Sequence, residues 1–413
     1  MSAPLLVKFA VRTMGRNVRR TFLSVVGVGV GCAIALFMTA FTLGTAEMRV
    51  RAISESGYGH MRIAPADWSL LRDNDLRLVD WEEELEMARA MDGVAAAVPH
   101  ARTTALLAFG TRVLGLEMLG VEPEAEFATN RLVRMLGDGR YLESGDTGVT
   151  VIGSAVADRL EVELGDDLLV TLIGASGEME YAMLSIVGIV DTGVKDIDVS
   201  ICHVTLEDMA ALTGRPGAGE ITIALEDPNA LDEIAATIAA RLPEGDGVMT
   251  WMEILPEQGG DFESDKAFMN MIAGIVVVVV ILGIAGAQLT AILERRRELA
   301  VLTALGMKEW QLISLVFSEA IAMGILGAIA GLVISLPLVH YTATTGIDLR
   351  ALMGGDFSIS GVLLDPVMYS DMGPWMIPQA FLIGLVSMLV AAIYPAWFAL
   401  RIDPTSALSL REA

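Results

Sequence analysis

The side chains that could perform catalysis are scattered through the sequence. No metal-ligand spacing relates the four histidines, which are His60, His100, His203 and His340. Ser154 lies in Ile-Gly-Ser-Ala-Val, which has neither glycine of the G-x-S-x-G nucleophile turn at the required position. The phosphate-binding pattern G-x-x-x-x-G-K-[ST] does not occur. We therefore predict no catalytic residue, no metal site and no bound cofactor in this chain.

Residues 294–298 are charged at every position and follow a long apolar run. Leucines and alanines then recur at helical spacing, at positions 299, 300, 302, 304 and 305. Gly306 follows, as expected for the residue that ends a helix. The pattern predicts a short amphipathic helix that lies at a membrane surface.

Three segments resemble one family. Arg297–Met307 (RELAVLTALGM) resembles the coupling-helix signature R-E-[IL]-x-[VIL]-x-[RKT]-A-[IL]-G of the FtsX, macrolide-exporter and lipoprotein-releasing permeases of ABC transporters. Residues 394–408 resemble that group's closing pattern, and residues 152–166 resemble its I-G-x-x-[LV]-A segment. The resemblance implies that the coupling helix, at 294–309, docks on a separate ATPase that binds ATP and Mg. The residues it assigns to this contact are Arg297, Glu298, Leu299, Leu302, Ala304, Leu305, Gly306 and Met307.

Four apolar runs are long enough to cross a bilayer core of about 30 Å as helices. We predict transmembrane helices at 21–46, 267–293, 310–340 and 377–400. Basic residues occur in three segments: a predicted amphipathic helix at 1–20, residues 295–308 and a tail at 401–413. All three segments lie on the cytoplasmic side of the membrane if both termini are cytoplasmic. A multi-pass protein of the inner membrane follows, with residues 341–376 as an outer loop.

The four apolar runs contain pairs of small residues and one carboxylate to which we assign structural roles. The pairs Gly27/Gly31, Gly283/Ala287 and Gly327/Gly331 have the small-xxx-small spacing that allows helices to approach closely. Glu319 lies about two turns into the third run, where we expect it to act as a polar anchor near the cytoplasmic end, in preference to a proton relay.

The segment 47–266 carries nearly all of the chain's negative charge. Residues 46–266 hold 42 of the 52 acidic side chains and 16 of the 28 basic ones, which argues against nucleic acid as a partner. Alternating apolar patterns predict strands at 104–109, 113–121, 168–173 and 180–190, with a tight hairpin turn at 174–177. We predict an α+β extracytoplasmic (periplasmic) domain between the first two transmembrane helices. The resemblance implies porter-like βα units with a β-rich insert at about 126–215.

The resemblance also implies a function. The length of the outer domain favours a lipoprotein-releasing permease that extracts a lipoprotein or lipid-anchored substrate from the outer leaflet of the inner membrane. Its partners would be two ATPase subunits, a second permease subunit (identical or homologous) and a periplasmic chaperone or adaptor, although the tight hairpin lacks the longer hook of the chaperone-recruiting subunit. Alternatives are mechanotransmission-type efflux of peptides or drugs and FtsX-like signalling to an envelope hydrolase. The expected substrate cleft is formed by Leu36, Phe37, Met38, Phe41, Val277, Val280, Ile281 and Ile284.

Overall fold

The computed structural model describes residues 18–68, 76–350, 357–359 and 362–400, and these form two compact units. The helical unit comprises residues 18–45, 264–347 and 368–400. The sheet unit comprises residues 46–263 and 348–367. Most of the predicted N-terminal helix at 1–20 and the predicted tail at 401–413 lie outside the described residues.

Helices and strands alternate in the sheet unit, whereas the helical unit consists of long helices. In chain order the helices are α1 (Val18–Ile53), α2 (Trp81–Arg89), α3 (Pro123–Thr129), α4 (Ser154–Leu160), α5 (Lys195–Asp198), α6 (Leu206–Thr213), α7 (Leu231–Ala239), α8 (Trp251–Ile254), α9 (Pro256–Glu294), α10 (Arg296–Ala304), α11 (Glu309–Thr344) and α12 (Met376–Leu400). The strands are β1 (Met61–Pro65), β2 (Val94–Phe109), β3 (Arg112–Val121), β4 (Leu136–Gly139), β5 (Val149–Gly153), β6 (Asp167–Ile173), β7 (Met179–Val190), β8 (Cys202–Thr205), β9 (Glu220–Leu225), β10 (Asp246–Thr250), β11 (Ile347–Asp348), β12 (Phe357–Ile359), β13 (Val362–Leu364) and β14 (Val367–Met368).

Each of the four predicted apolar runs lies within one long helix. Helices α1, α9, α11 and α12 are long and apolar enough to cross a membrane. Three of them pack closely where glycine removes a side chain from the contact. A Cβ atom added to Gly384 of α12 would lie 2.8 Å from the carbonyl oxygen of Gly324 on α11, and one added to Gly331 of α11 would lie 2.5 Å from Cβ of Cys32 on α1. The helix contact predicted for Gly327/Gly331 is therefore confirmed.

Helix α9 differs from the other three long helices. Only 6% of its most apolar window is buried, compared with 44% for α1 and 39% for α12. A Cβ atom added to Gly283 would meet no other atom within 4 Å, so the close helix contact predicted for the pair Gly283/Ala287 is not made at Gly283. This helix therefore leaves most of its apolar surface open.

The sheet unit is built on one ten-stranded sheet. Its strand order is β10-β1-β9-β2-β3-β8-β5-β7-β4, and β6 pairs with β2 and β7. The predicted strands at 104–109 and 113–121 form an antiparallel pair, although β2 begins ten residues earlier than predicted. The predicted hairpin turn at 174–177 joins β6 to β7, and Gly177 occupies its left-handed position with φ 78°. Because the sheet runs continuously through 126–215, the limits of the β-rich insert remain a prediction.

The middle of the predicted outer loop at 341–376 belongs to the sheet unit. Val362, Leu363 and Leu364 are buried in its hydrophobic clusters. Asp365 accepts a hydrogen bond of 3.0 Å from Nη1 of Arg131. The sequence of the loop did not predict this packing, because the residues that contact it lie far away in the chain.

Both cysteines are free and buried, Cys32 in the helical unit and Cys202 in the sheet unit. Burial raises the pKa of the Cys202 thiol to about 12. The thiolate, which is the reactive form, is therefore disfavoured at neutral pH.

The close approach of α11 and α12 predicts a specific sensitivity to side-chain volume. The substitution Gly384→Leu should lower the free energy of unfolding by about 1–3 kcal/mol, because a side chain cannot fit against the Gly324 backbone. The melting temperature of the detergent-solubilised chain measures this. Gly274→Leu on α9, where a Cβ atom meets nothing within 4 Å, is the matched control and should leave the melting temperature unchanged. Equal melting temperatures for the two variants would contradict the proposed contact.

Candidate functional site

Helix α10 is held to the helical unit by one side only. Leu299 and Ala300 are buried, and Leu299 belongs to a cluster with Ile292 of α9 and Val316 of α11. The helix ends at Ala304, and Gly306 follows with φ 92°, the left-handed conformation predicted for it. The sequence signature thus folds into a short helix anchored through the first leucine of its pattern.

The opposite side of α10 is exposed. The exposed fraction is 80% for Leu305 and 42% for Val301. Exposed residues on this side and at the helix ends also include Arg296, Arg297, Glu298 and Ala304. The apolar face that the sequence predicts for this helix is therefore only partly buried, because Leu299 packs inward while Leu305 faces outward. Met307 is half-buried against the cluster that contains Leu299, and the side chain of Leu302 lies outside the described residues.

A charged pair joins the start of α10 to α11. Arg295 donates a hydrogen bond of 3.1 Å from Nη1 to Oε1 of Glu319. Both side chains are partly buried and line a cavity of about 40 Å³. Gln288 of α9 lines the same cavity. The predicted role of Glu319 as a polar anchor is consistent with this contact, which the separation of 24 residues in the chain did not reveal.

An apolar cleft opens between α1 and α9. It has a volume of about 460 Å³ and is lined by Leu23, Ser24, Gly27, Val280, Gly283, Ile284 and Thr290. Two of these residues, Val280 and Ile284, belong to the predicted substrate cleft. Gly27 and Gly283 were singled out in the sequence as helix-contact residues, but neither has an atom within 4 Å of an added Cβ. These two glycines widen the cleft. Gly31, the second residue of the pair Gly27/Gly31, makes the predicted helix contact, because a Cβ atom added there would lie 2.5 Å from Cγ2 of Val280 on α9.

The other residues predicted for the cleft lie elsewhere in the helical unit. Leu36 is fully buried in a cluster with Ala328 of α11 and Met376 of α12. Phe37 packs against the same cluster and stacks on Phe41, with ring centroids 6.1 Å apart. Of the remaining residues, Met38 and Val277 are half-buried and Ile281 packs against the cluster around Leu299. The described cleft thus lies nearer the start of α1 than the sequence pattern suggested.

The sheet unit contains buried charges that sequence analysis did not identify. Glu220 of β9 lies between two arginines, at 2.6 Å from Nη1 of Arg62 on β1 and 2.8 Å from Nε of Arg102 on β2. Burial alone would raise the pKa of Glu220, but the two guanidinium groups outweigh this effect and lower the pKa to about 2. The three strands are adjacent in the sheet, so the ion pairs fix their mutual register.

A second buried pair lies beside the first. Nε2 of His100 lies 2.7 Å from Oε2 of Glu126, and Nδ2 of Asn130 donates a 2.7 Å hydrogen bond to Oε1. Burial would raise the pKa of Glu126, but the contact with His100 outweighs it and lowers the pKa to about 2. His203 lies near this group, and burial lowers its pKa to about 4. Glu126, Asn130 and His203 also line a cavity of about 70 Å³. No set of three ligating side chains suitable for a metal occurs within the described part of the chain.

Comparison with known proteins defines the class. Residues 21–241 match the MacB-like periplasmic core domain, and residues 270–404 match the FtsX-like permease C-terminal domain. Since the first match covers more than half of the chain, this protein belongs to the FtsX- and MacB-like family of ABC transporter permeases. It is a transmembrane protein of that family, as the coupling-helix and closing patterns implied.

Individual relatives come from two branches of the family. The chain is 23% identical to the lipoprotein-releasing system transmembrane protein LolC of Xylella fastidiosa (strain Temecula1), over 99% of both chains. It is 25% identical to the macrolide export ATP-binding/permease protein MacB of Hyphomonas neptunium, over 98% of this chain and 60% of that protein. Among solved structures, the periplasmic region of MacB from Actinobacillus actinomycetemcomitans covers 52% of this chain with a TM-score of 0.36 and 14% identity.

The Glu126–His100 contact predicts how stability depends on pH. The pKa of Glu126 in the folded chain lies below its ordinary value of 4.5. The ionised carboxylate therefore contributes its full share to the free energy of unfolding above pH 4.5, and this share declines as the pH falls toward 2. Glu126→Gln should lower the free energy of unfolding at pH 7 by about 3 kcal/mol, and the difference from the unmodified chain should shrink below pH 4.5. Denaturant titrations followed by tryptophan fluorescence at pH 7, 4.5 and 3 measure it.

Glu124→Gln provides the control, since Glu124 lies on the exposed side of the same helix α3. It should change the unfolding free energy by less than about 0.5 kcal/mol at each pH. A loss of stability for Glu126→Gln that is equal at pH 7 and pH 3 would contradict the assignment.

Proposed function

We propose that this chain is a permease subunit of an ABC complex that extracts lipoproteins or other lipid-anchored substrates from the outer leaflet of the inner membrane. Hydrolysis of ATP and binding of Mg would take place on a separate ATPase. Two copies of that ATPase would join two permease subunits, which are either identical or homologous. The observation that carries the proposal is α10, a short helix anchored by Leu299 that exposes apolar and charged side chains on its other side.

The proposed topology has four transmembrane helices with both termini in the cytoplasm. The basic residues Arg295, Arg296 and Arg297 lie between α9 and α11, as expected for a cytoplasmic connection. The acidic sheet unit would then lie in the periplasm, between the first and second spans. The match of residues 21–241 to the MacB-like periplasmic core domain supports this arrangement.

The exposed side of α10 is the proposed docking surface for the ATPase. Val301 and Leu305 offer an apolar contact, and Arg297 and Glu298 offer charges on either side of it. An exposed apolar patch that is rimmed by charge is typical of a protein interface. Movement of the ATPase subunits would be transmitted through α10 to the long helices.

The proposed substrate class follows from the cleft and the relatives. The match to LolC of Xylella fastidiosa covers 99% of both chains, and the name of that protein describes a lipoprotein-releasing system. The cleft between α1 and α9 is lined mainly by apolar side chains, which suits an acyl chain. A second permease subunit would face this cleft, because α9 leaves most of its apolar surface uncovered.

A periplasmic chaperone or adaptor is a further proposed partner of the sheet unit. The hairpin β6–β7 exposes a row of large apolar side chains on one face of the sheet. These are Leu169, Ile173, Met179, Tyr181 and Met183. Such a row on an otherwise acidic domain favours a protein contact, although the turn at 174–177 is short.

Efflux by mechanotransmission is the second candidate. The match to the MacB-like periplasmic core domain, which spans 221 residues from 21 to 241, favours it. In this case the sheet unit would drive a peptide or drug outward, and the apolar cleft would serve subunit contact only.

Mass spectrometry of the complex purified gently from its native membrane tests these alternatives. We expect an ATPase together with diacylated lipoproteins, and addition of ATP should deplete the lipoproteins. An ATPase with an adaptor or duct protein and no lipoprotein would favour efflux. The absence of any ATPase would contradict the proposal as a whole.

The docking surface predicts a separate result for a single substitution. Leu305→Asp should reduce the co-purified ATPase at least tenfold, because a charge replaces an apolar side chain that is 80% exposed and available for contact. Quantitative immunoblotting of the affinity-purified chain measures the ratio. Val113→Asp, at a 63% exposed position in the sheet unit, is the control and should retain the ATPase. If both variants retain the ATPase, the assignment of this surface to docking is wrong.

A further inference from the structure

Arg295 connects three helices of the helical unit. It lies between the end of α9 at Glu294 and the start of α10 at Arg296, and its backbone is not helical, with φ −99° and ψ 7°. Its side chain donates to Glu319 of α11 at 3.1 Å and lies 3.5 Å from Oε2 of Glu298 on α10. A displacement of α10 relative to α11 therefore changes the contact between Arg295 and Glu319.

Glu319 depends on a donor from a neighbouring helix. It lies within a strongly apolar helix, and its side chain is 21% exposed. Leu315, Val316 and Met323 surround the same cavity and offer it no hydrogen bond. A carboxylate in such surroundings is costly without a partner. If α10 moves and carries Arg295 away, Glu319 requires another donor.

Gln288 supplies a donor in the right place. It lies on α9, seven residues before Arg295, and is 6% exposed. Its Nε2 atom has no hydrogen-bond partner among the described residues, although a buried amide nitrogen normally has one. Gln288, Arg295 and Glu319 line one cavity of about 40 Å³. An unused donor and a carboxylate with a second oxygen thus face the same small space.

We propose that Glu319 has two alternative partners, which define two positions of α10. In the first position, the ion pair between Arg295 and Glu319 holds α10 against α11, and we call this ion pair the latch. When a docked ATPase displaces α10, Arg295 leaves and the Gln288 amide donates to Glu319 instead. Discrete alternative contacts of this kind allow a packed interface to switch between two arrangements. Arg295 and Gln288 are positioning residues in this scheme, and the scheme rests on the proposed docking of an ATPase at α10.

The latch is tested first in the isolated chain, where no ATPase is required. Arg295→Gln and Glu319→Gln should each lower the melting temperature, and the double variant should lower it no further than either single one. The reversed pair Arg295→Glu with Glu319→Arg should restore it. Glu309→Gln, which removes an exposed carboxylate from the first turn of the same helix α11, is the control. Additive losses in the double variant would overturn the latch.

The second position is tested in the complex with the ATPase. Spin labels at Thr303→Cys, an exposed residue of α10 that is not among those proposed for docking, and at Ile334→Cys on α11 report the distance between the helices, with and without a trapped ATP analogue. Glu319→Gln should raise the fraction of displaced α10 without nucleotide about fivefold, since it weakens the latch. Gln288→Leu should act in the opposite direction and lower the displaced fraction with the analogue by a similar factor. Co-purified ATPase should be unchanged for both.

These measurements separate the inference from the proposed function. If Gln288→Leu leaves the distance distribution unchanged, or shifts it in the same direction as Glu319→Gln, Gln288 is not the second partner. If no ATPase associates with the unmodified chain, docking at α10 fails, while the double-variant result still decides whether Arg295 and Glu319 are coupled. Loss of the ATPase from Glu319→Gln would place Arg295 in the docking surface and overturn its role as a latch.

Discussion

Close packing of backbone against backbone is the constraint on which the helical unit depends. Lipid tails are as apolar as leucine side chains, so burying apolar surface contributes little to helix association within a bilayer. What remains is van der Waals contact, which is greatest where glycine lets two helices approach. Helix α11 uses this twice, against α12 at Gly324 and against α1 at Gly331. Helix α9 makes one such contact, where Val280 lies against Gly31 of α1, and the open cleft lies beside it.

The sheet unit differs from the helical unit because it is highly charged on its surface and also contains charges in its interior. Glu220 is enclosed by Arg62 and Arg102, and Glu126 is enclosed by His100 and Asn130. Removing one partner of such a pair is costly, but the intact pair contributes little more stability than apolar residues of the same volume would, since each charge loses its hydration on burial. Their value lies in specificity: a shift of one residue between strands would leave a buried carboxylate without its partner. The ion pairs of Glu220 therefore favour one register for β1, β9 and β2, which are far apart in the sequence.

Local patterns in the sequence predicted the elements well and their contacts poorly. The four apolar helices, the hairpin at 174–177 and the left-handed Gly306 all follow from residues close together in the chain. The ion pair between Arg102 and Glu220 joins residues 118 positions apart, and nothing in either local pattern marks it. Periodicity also placed Leu299 and Leu305 on one face of α10, yet only Leu299 is buried. Neighbouring helices decide which part of an apolar stripe is covered, and no single helix contains that information.

The burial of both cysteines has a practical consequence for studying this protein. Cys32 packs against the glycine-rich face of α11, and Cys202 lies in the centre of the sheet with a raised pKa. Neither thiol is accessible to a water-soluble maleimide in the folded chain. A cysteine introduced at an exposed position will therefore be labelled selectively against an unreactive background. The native chain can serve as the parent for fluorescence and spin-label work, and its packed interior does not have to be altered first.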